Sequence, residues 1–231
     1  MKLVLIGGGE IGKKDSSYET FEIDQEVVRM THKENPVFLF IGLASSYADS
    51  YYDQIKFHYK NLGCKTVYLK KNNLIHNPDL VKQKFLEADI LYIGGGDTIK
   101  LLEKVEEYHL MPLFDQALKD NKVLAGISAG AILLSKEGYS DSYILRGESD
   151  RYQFVSGFGY FAQSIVPHYH FEQIKTDQLK EDLRGTSKTC YGLENGSAYI
   201  IDDKKKYIIS SIKDASVYQI SYSKQFKEKK I

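Results

Sequence analysis

The chain has 231 residues, enough to bury a sizeable core in one large domain or two small ones. Lys+Arg and Asp+Glu both total 31, so no global field draws nucleic acid or an acidic membrane, and neither is expected as a partner. Hydrophobic residues at 42% and charged residues at 27% are ordinary for a soluble globular protein. Cys64 and Cys190 form no disulfide framework, which suits a reduced cytosol. Met1-Lys2 leads directly into an apolar strand, without the charged and apolar regions of a signal peptide, and no apolar run reaches membrane-spanning length. The expectation is a cytoplasmic protein forming a single domain over residues 1–231.

Leu3 to Ile6 reads as a short strand ended by Gly7-Gly8-Gly9, and Tyr18 to His32 places Phe21, Val27, Val28 and Met30 at helical spacing. Val37 to Ile41 is a continuous apolar strand stopped by Gly42. A helix over 49–62 precedes a strand over 64–69, and Pro78 opens a helix reaching Glu87. Ile90 to Ile93 is a strand that stops at Gly94-Gly95-Gly96, after which Asp97 caps a helix through Val105. Pro112 starts a helix to Lys119, and Lys122 to Ile127 is the next strand. A helix begins at once from Ser128. Apolar strands alternating with helices predict an α/β fold, a mainly parallel sheet with helices on both faces. Ligands bind at the carboxyl ends of such strands, so the glycine corners and Ser128 should share one edge.

Beyond Gly138 the alternation fades. Residues 154–161 are rich in glycine and aromatics, and Gln163 to Val166 reads as a strand leading to Pro167-His168-Tyr169-His170. A helix over 171–183 is followed by short strands over 190–193, 198–201, 207–209 and 216–220, so the chain ends in antiparallel strands. Asp202-Asp203-Lys204 is a hairpin turn, and the basic tail from Lys224 reads as frayed.

Gly126-Ile127-Ser128-Ala129-Gly130 puts a serine at a strand-to-helix corner, beside the first free helical N–H groups. Ser128 is open to two readings, nucleophile or helix N-cap. Gly7-Gly8-Gly9-Glu10-Ile11-Gly12 matches the dinucleotide-binding pattern. However, Lys13 to Ser17 separate its last glycine from the helix, and no acid ends the second strand to hold a ribose. No cofactor is expected. Gly94-Gly95-Gly96-Asp97-Thr98 lacks the lysine of a phosphate loop. An amide of Gly95 or Gly96, paired with that of Ala129, would instead make an oxyanion hole.

Six histidines are candidates for the base a serine needs. His32, His58, His76 and His109 fall in helices or loops with polar neighbours, whereas His168 follows a strand and a proline. His170 lies two residues on; a His-x-His pair suits metal, but no further ligand set completes a site, and none is expected.

Taken together, Gly94 to Thr98, Gly126 to Ala131 and Pro167-His168, with the early glycines, resemble the peptidase E and cyanophycinase family of serine peptidases over residues 2–201. The resemblance implies a fold related to class I glutamine amidotransferases and a Ser-His-acid triad with Ser128 as nucleophile and His168 as base. The family's acid precedes a glycine, where Asn195 stands in this chain; Glu194 is one place earlier. The expected third member is Glu194, re-aimed by the Asn195-Gly196 turn, with Asn195 and Asp141 as alternatives. Arg146, Arg151 and Arg184 are candidates for a substrate carboxylate only by their charge, and a surface salt bridge is the competing reading for each. Tyrosines between Tyr139 and Tyr169 are open to a pocket-lining or a core reading.

The expected activity is acyl transfer to water on short peptides or unusual amide bonds. A catalytically weak binding protein, and a non-peptidase amidase or esterase, remain the competing readings. The expected partner is a small peptide, with the chain a monomer or homodimer.

Overall fold

The computed structural model describes residues 1–12 and 17–231. Lys13 to Ser16, most of the segment expected to separate the first glycines from the first helix, lie outside the described residues. Thirteen strands are present among those described: β1 (Lys2–Ile6), β2 (Val37–Ile41), β3 (Lys65–Tyr68), β4 (Ile90–Ile93), β5 (Val123–Ile127), β6 (Ser135–Ser140), β7 (Gln153–Ser156), β8 (Phe161–Pro167), β9 (Thr189–Leu193), β10 (Ser197–Asp202), β11 (Lys205–Ser210), β12 (Val217–Tyr222) and β13 (Phe226–Lys230). The helices are α1 (Phe21–Arg29), α2 (Ala48–Asn61), α3 (Lys71–His76), α4 (Pro78–Glu87), α5 (Thr98–Glu107), α6 (Met111–Lys119), α7 (Ala129–Leu134), α8 (Ser142–Leu145) and α9 (Gln173–Leu183).

The five strands expected to be parallel are so, and form one seven-stranded sheet in the order β11-β10-β1-β5-β4-β2-β3. Their continuous apolar runs follow from burial on both faces. Leu3, Leu5, Leu39, Leu91 and Leu124 point into one hydrophobic layer, while Val4, Ile6, Phe38, Phe40 and Tyr92, alternating with them, point into the other. The hairpin of β10 and β11 closes the β1 edge antiparallel, turning at Asp203 with φ 55°.

The later strands do not simply extend this sheet. Most of them build a second, six-stranded sheet in the order β13-β12-β9-β8-β6-β7, covering a third cluster that includes Tyr139, Tyr152, Tyr169 and Ile220. Ser135 to Ser140, to which the sequence reading assigned no element, leaves the short helix α7 as a strand. One correction follows: the basic tail, expected to fray, pairs as β13 from Tyr218↔Lys230 to Tyr222↔Phe226. The tail holds because backbone pairing suffices at an edge whose side chains are solvated. Tyr139, Tyr152 and Tyr169 are buried, as the core reading requires.

Register sets the functional edge. Ile6 pairs with Ile127, and the Ser128 amide donates to the Ile6 carbonyl at 3.0 Å, so β1 and β5 end together. In the second sheet β8 and β9 run parallel with Pro167 beside Leu193, which leaves His168 and Glu194 as the next residues of adjacent chains. The Gly7-Gly8-Gly9 run joins the sheets: the His168 amide donates to the Gly7 carbonyl at 2.9 Å and the Gly196 amide to the Gly8 carbonyl at 2.8 Å. No helix among the described residues is long and apolar enough to cross a membrane.

Candidate active site

Ser128 stands between a fully buried strand and a fully buried helix, with φ 52° and ψ −111°. A non-glycine residue in that conformation costs on the order of 1–3 kcal/mol and persists only where its surroundings hold it. The flanking glycines explain how the corner closes. A Cβ on Gly126 would lie 2.3 Å from the Gly130 carbonyl, and one on Gly130 would lie 2.2 Å from the Ile93 oxygen. The Ser128 side chain makes no capping bond, so its hydroxyl is not spent as an N-cap.

That hydroxyl lies 2.9 Å from Nε2 of His168, whose Nδ1 lies 2.7 Å from Oδ1 of Asn195. An amide oxygen only accepts, so Nδ1 carries the proton and Nε2 presents its lone pair to Ser128. The ring is thus held in the tautomer a general base requires. Burial depresses the His168 pKa, and the Lys175 cation adds to the effect, while the Asn195 bond and the charges of Asp141 and Glu172 act against it. Lys175 is itself buried; burial brings its ammonium down to about 8, and it donates to the Pro167 carbonyl at 2.7 Å.

Glu194 does not reach His168. Its Oε1 lies 2.8 Å from Nδ1 of His170, and its Oε2 accepts from the Ser216 amide at 2.8 Å. The expected re-aiming fails because Asn195-Gly196 makes a tight turn, Gly196 at φ 68°, in which the Asn195 side chain rather than its predecessor faces the glycine edge. Glu194 is therefore corrected to Asn195 as the residue on the imidazole. Asp141 stands at the start of α8, with its charge felt by His168 but no hydrogen bond to the ring among the described residues.

The Gly7-Gly8-Gly9 run, suggestive of a dinucleotide, has a packing reason instead. A Cβ on Gly8 would lie 2.3 Å from His168 Nδ1 and 2.4 Å from Asn195 Oδ1. Gly95 stands against Ser128, with room for a Cβ 3.4 Å from that of the serine, and Gly96 packs against the Ala44 carbonyl at φ 136°. Ala129 opens α7, where an N–H has no intrahelical acceptor. Asp97 caps α5 through the Ile99 and Lys100 amides and binds Arg146 Nε at 2.9 Å. Those contacts hold its carboxyl below the usual range although burial works the other way.

Arg146 also pairs with Glu103, and Arg151 with Glu181 and Asp182, so both follow the salt-bridge reading; Arg184 is exposed at the end of α9. Of the remaining histidines, His32, His76 and His109 are exposed, whereas His58 lies against the Tyr18 ring at 3.9 Å between centroids. Cys64 and Cys190 are buried free thiols, each pushed up to about 12 by burial. No group of three or more metal-ligating side chains is assembled among the described residues. A groove of about 990 Å³ is lined by residues that follow β2 and β3, among them Ser45, Tyr47 and Lys70, and by Lys56 of α2 and Lys100 of α5.

A strained serine at a strand-to-helix corner, bonded to a histidine oriented from behind, is the arrangement of groups that serine hydrolases use, here on an α/β fold. The model of peptidase family S51 matches residues 3–209, and the chain belongs to that family of serine-type peptidases. It is 27% identical over 223 residues to the uncharacterized peptidase YgaJ of Bacillus subtilis (strain 168), covering 95% of this chain and 91% of that protein. It is 23% identical over 226 residues to Peptidase E of Shewanella amazonensis (strain ATCC BAA-1098 / SB2B), covering 90% of each. The crystal structure of a peptidase from an acI-B1 actinobacterium shares the fold, with a TM-score of 0.69 at 21% identity over 100% of this chain and 96% of that one.

Proposed function

We propose that this peptidase cleaves short peptides or unusual amide bonds through an acyl-enzyme on Ser128, with His168 as general base and Asn195 orienting the ring. The observation that carries this reading is the continuous line from Ser128 Oγ through both nitrogens of His168 to Asn195 Oδ1, at 2.9 and 2.7 Å. As Oγ attacks the substrate carbonyl carbon, Nε2 takes its proton. The oxyanion that forms lies toward the amides of Ala129 and the Gly95–Gly96 turn. The C–N bond then breaks, the imidazolium returns the proton to the departing amine, and water repeats the sequence to free the acid.

A neutral amide in the third position distinguishes this site from one with a carboxylate. Asn195 fixes the tautomer, but it meets the imidazolium with a dipole rather than a charge. The depressed pKa of His168 keeps the ring unprotonated and ready as a base at neutral pH. Ser128 should be labelled covalently by a fluorophosphonate, and Ser128→Ala should abolish labelling while the circular dichroism spectrum is unchanged. A dipeptide library run beside simple esters then separates a peptidase from an esterase. Labelling that survives Ser128→Ala removes this serine from the mechanism, and an unlabelled wild type favours a binding role.

A further inference from the structure

We propose that His170, clamped between Glu194 and Glu228, is a positioning residue that sets His168 and Asn195 relative to one another; the inference rests on the catalytic reading of Ser128 and His168. Two turns carry the two residues that must meet. His168 and His170 belong to one, Glu194 and Asn195 to the other, and two side-chain bonds link them: His168 Nδ1 to Asn195 Oδ1 at 2.7 Å and His170 Nδ1 to Glu194 Oε1 at 2.8 Å. The first is the catalytic contact and joins two neutral groups. The second joins a carboxylate to a ring that can carry charge, and hydrogen bonds to ionised groups are the stronger kind.

The histidine turn needs an external hold. His168 has φ 50° and His170 φ 64°, both in the left-handed region disfavoured for side chains larger than glycine. Its backbone is fixed at the front by the Gly7 and Leu193 carbonyls, which accept from His168 and Tyr169 at 2.9 and 3.0 Å. Behind, the anchor is the His170 ring. Its Nε2 faces Glu228 Oε2 at 3.2 Å, while the same carboxylate oxygen accepts from the Tyr169 hydroxyl at 2.6 Å. Tyr169 lies 3.9 Å from the ring on one side, and Tyr218 of β12 meets it edge-on at 4.9 Å.

Both ring nitrogens of His170 face carboxylate oxygens. A neutral imidazole has one N–H and one lone pair, so it bonds one carboxylate and repels the other; only the imidazolium serves both. The clamp therefore closes fully when His170 is protonated. The charged groups around it are Glu194 at the β9–β10 turn, Glu228 on β13, and Lys180 of α9, whose charge reaches Glu228. The tyrosines facing it are Tyr169 and Tyr218. Glu194 is anchored independently by the Ser216 amide at 2.8 Å, so the clamp ties the histidine turn to the start of β12 as well as to β13.

The test uses full-length protein and the second-order rate of fluorophosphonate acylation, measured against pH for wild type, His170→Gln, Glu194→Gln and the double variant. Each single change should slow acylation at neutral pH by on the order of 10²-fold or less, through misplacement of His168. The double variant should be no slower than His170→Gln alone, because the His170–Glu194 bond is already lost there. Nitrogen-15 spectra of the His168 ring in Glu194→Gln give a second readout, in which the Nδ1–H tautomer should lose population. Wild-type acylation together with unchanged rates and tautomer in folded variants overturns the clamp; an unlabelled wild type overturns the catalytic reading instead, and the tautomer measurement still decides the clamp.

Discussion

At Asn195 a single position decides what kind of base His168 is. Oδ1 and a carboxylate oxygen would occupy the same place, but only the carboxylate carries a charge to stabilise the imidazolium. Asn195→Asp should therefore raise the pKa of His168 and move the acid limb of the acylation–pH profile to higher pH, since the ring must lose its proton before it can act. Asn195→Ala should leave the ring free to turn and lower the acylation rate at neutral pH by on the order of 10²-fold. Stopped-flow acylation across pH 4–9 checks both, and an Asp variant whose acid limb stays in place would detach Asn195 from the base. Ser128 and His168 were legible as candidates, from a small-residue corner for one and a proline after a strand for the other, and the family resemblance gave them their expected roles. The choice between Glu194 and Asn195 was not. It depends on which way a turn presents consecutive side chains, and on Ser216 and His170, which capture the glutamate from segments 22 and 24 residues away.

Among the elements, α7 does more than its six residues suggest. It is buried throughout and wedges between the seven-stranded sheet and the second one, so its seat fixes the angle at which Ser128 leaves β5. Gly130 packs directly against the end of β4. Helix propensity alone favours alanine over glycine by about 1 kcal/mol. Here the contact opposes it, because the added Cβ would stand 2.2 Å from the Ile93 carbonyl oxygen, a backbone atom at the end of β4. Gly130→Ala should accordingly destabilise the fold by about 1–3 kcal/mol, the range for overpacking a filled core. Urea unfolding measures it, and a neutral or stabilised variant would show that α7 can shift without cost. The elements of the first sheet were readable because apolar runs bounded by glycine and proline mark their ends. Those of the second were harder. β6 reads Ser-Lys-Glu-Gly-Tyr-Ser and β13 Phe-Lys-Glu-Lys-Lys, compositions that look like loop and tail until a neighbouring strand supplies the pairing.

For the molecule as a whole, the equality of acidic and basic residues hides one carboxylate in an unusual place. Asp24 of α1 is fully buried, and three hydroxyls donate to it: Tyr18 at 2.7 Å, Thr20 at 2.8 Å and Tyr59 of α2 at 2.8 Å. It therefore ties the approach to α1, the helix itself and α2 into one polar knot beneath the apolar face of Val4, Phe38 and Tyr92. Burial raises its pKa from 3.8 to about 6, more than the three hydroxyl bonds lower it. With the folded value above the unfolded one, the folded state binds the proton more tightly. The stabilisation from this group is full below pH 3.8 and is lost as pH rises through about 6. A shift of this size corresponds to about 3 kcal/mol at the limit, from 1.36 kcal/mol for each pKa unit. Asp24→Asn removes the titration while keeping an oxygen for the hydroxyls. The gap in unfolding free energy between wild type and Asp24→Asn should therefore move by roughly 2 kcal/mol against the wild type between pH 4 and pH 7. Urea titrations at several pH values within that window supply the comparison. A gap that is flat, or that moves in favour of the wild type as pH rises, would mean that Asp24 is ionised in the fold without penalty and that the hydroxyl knot outweighs its burial.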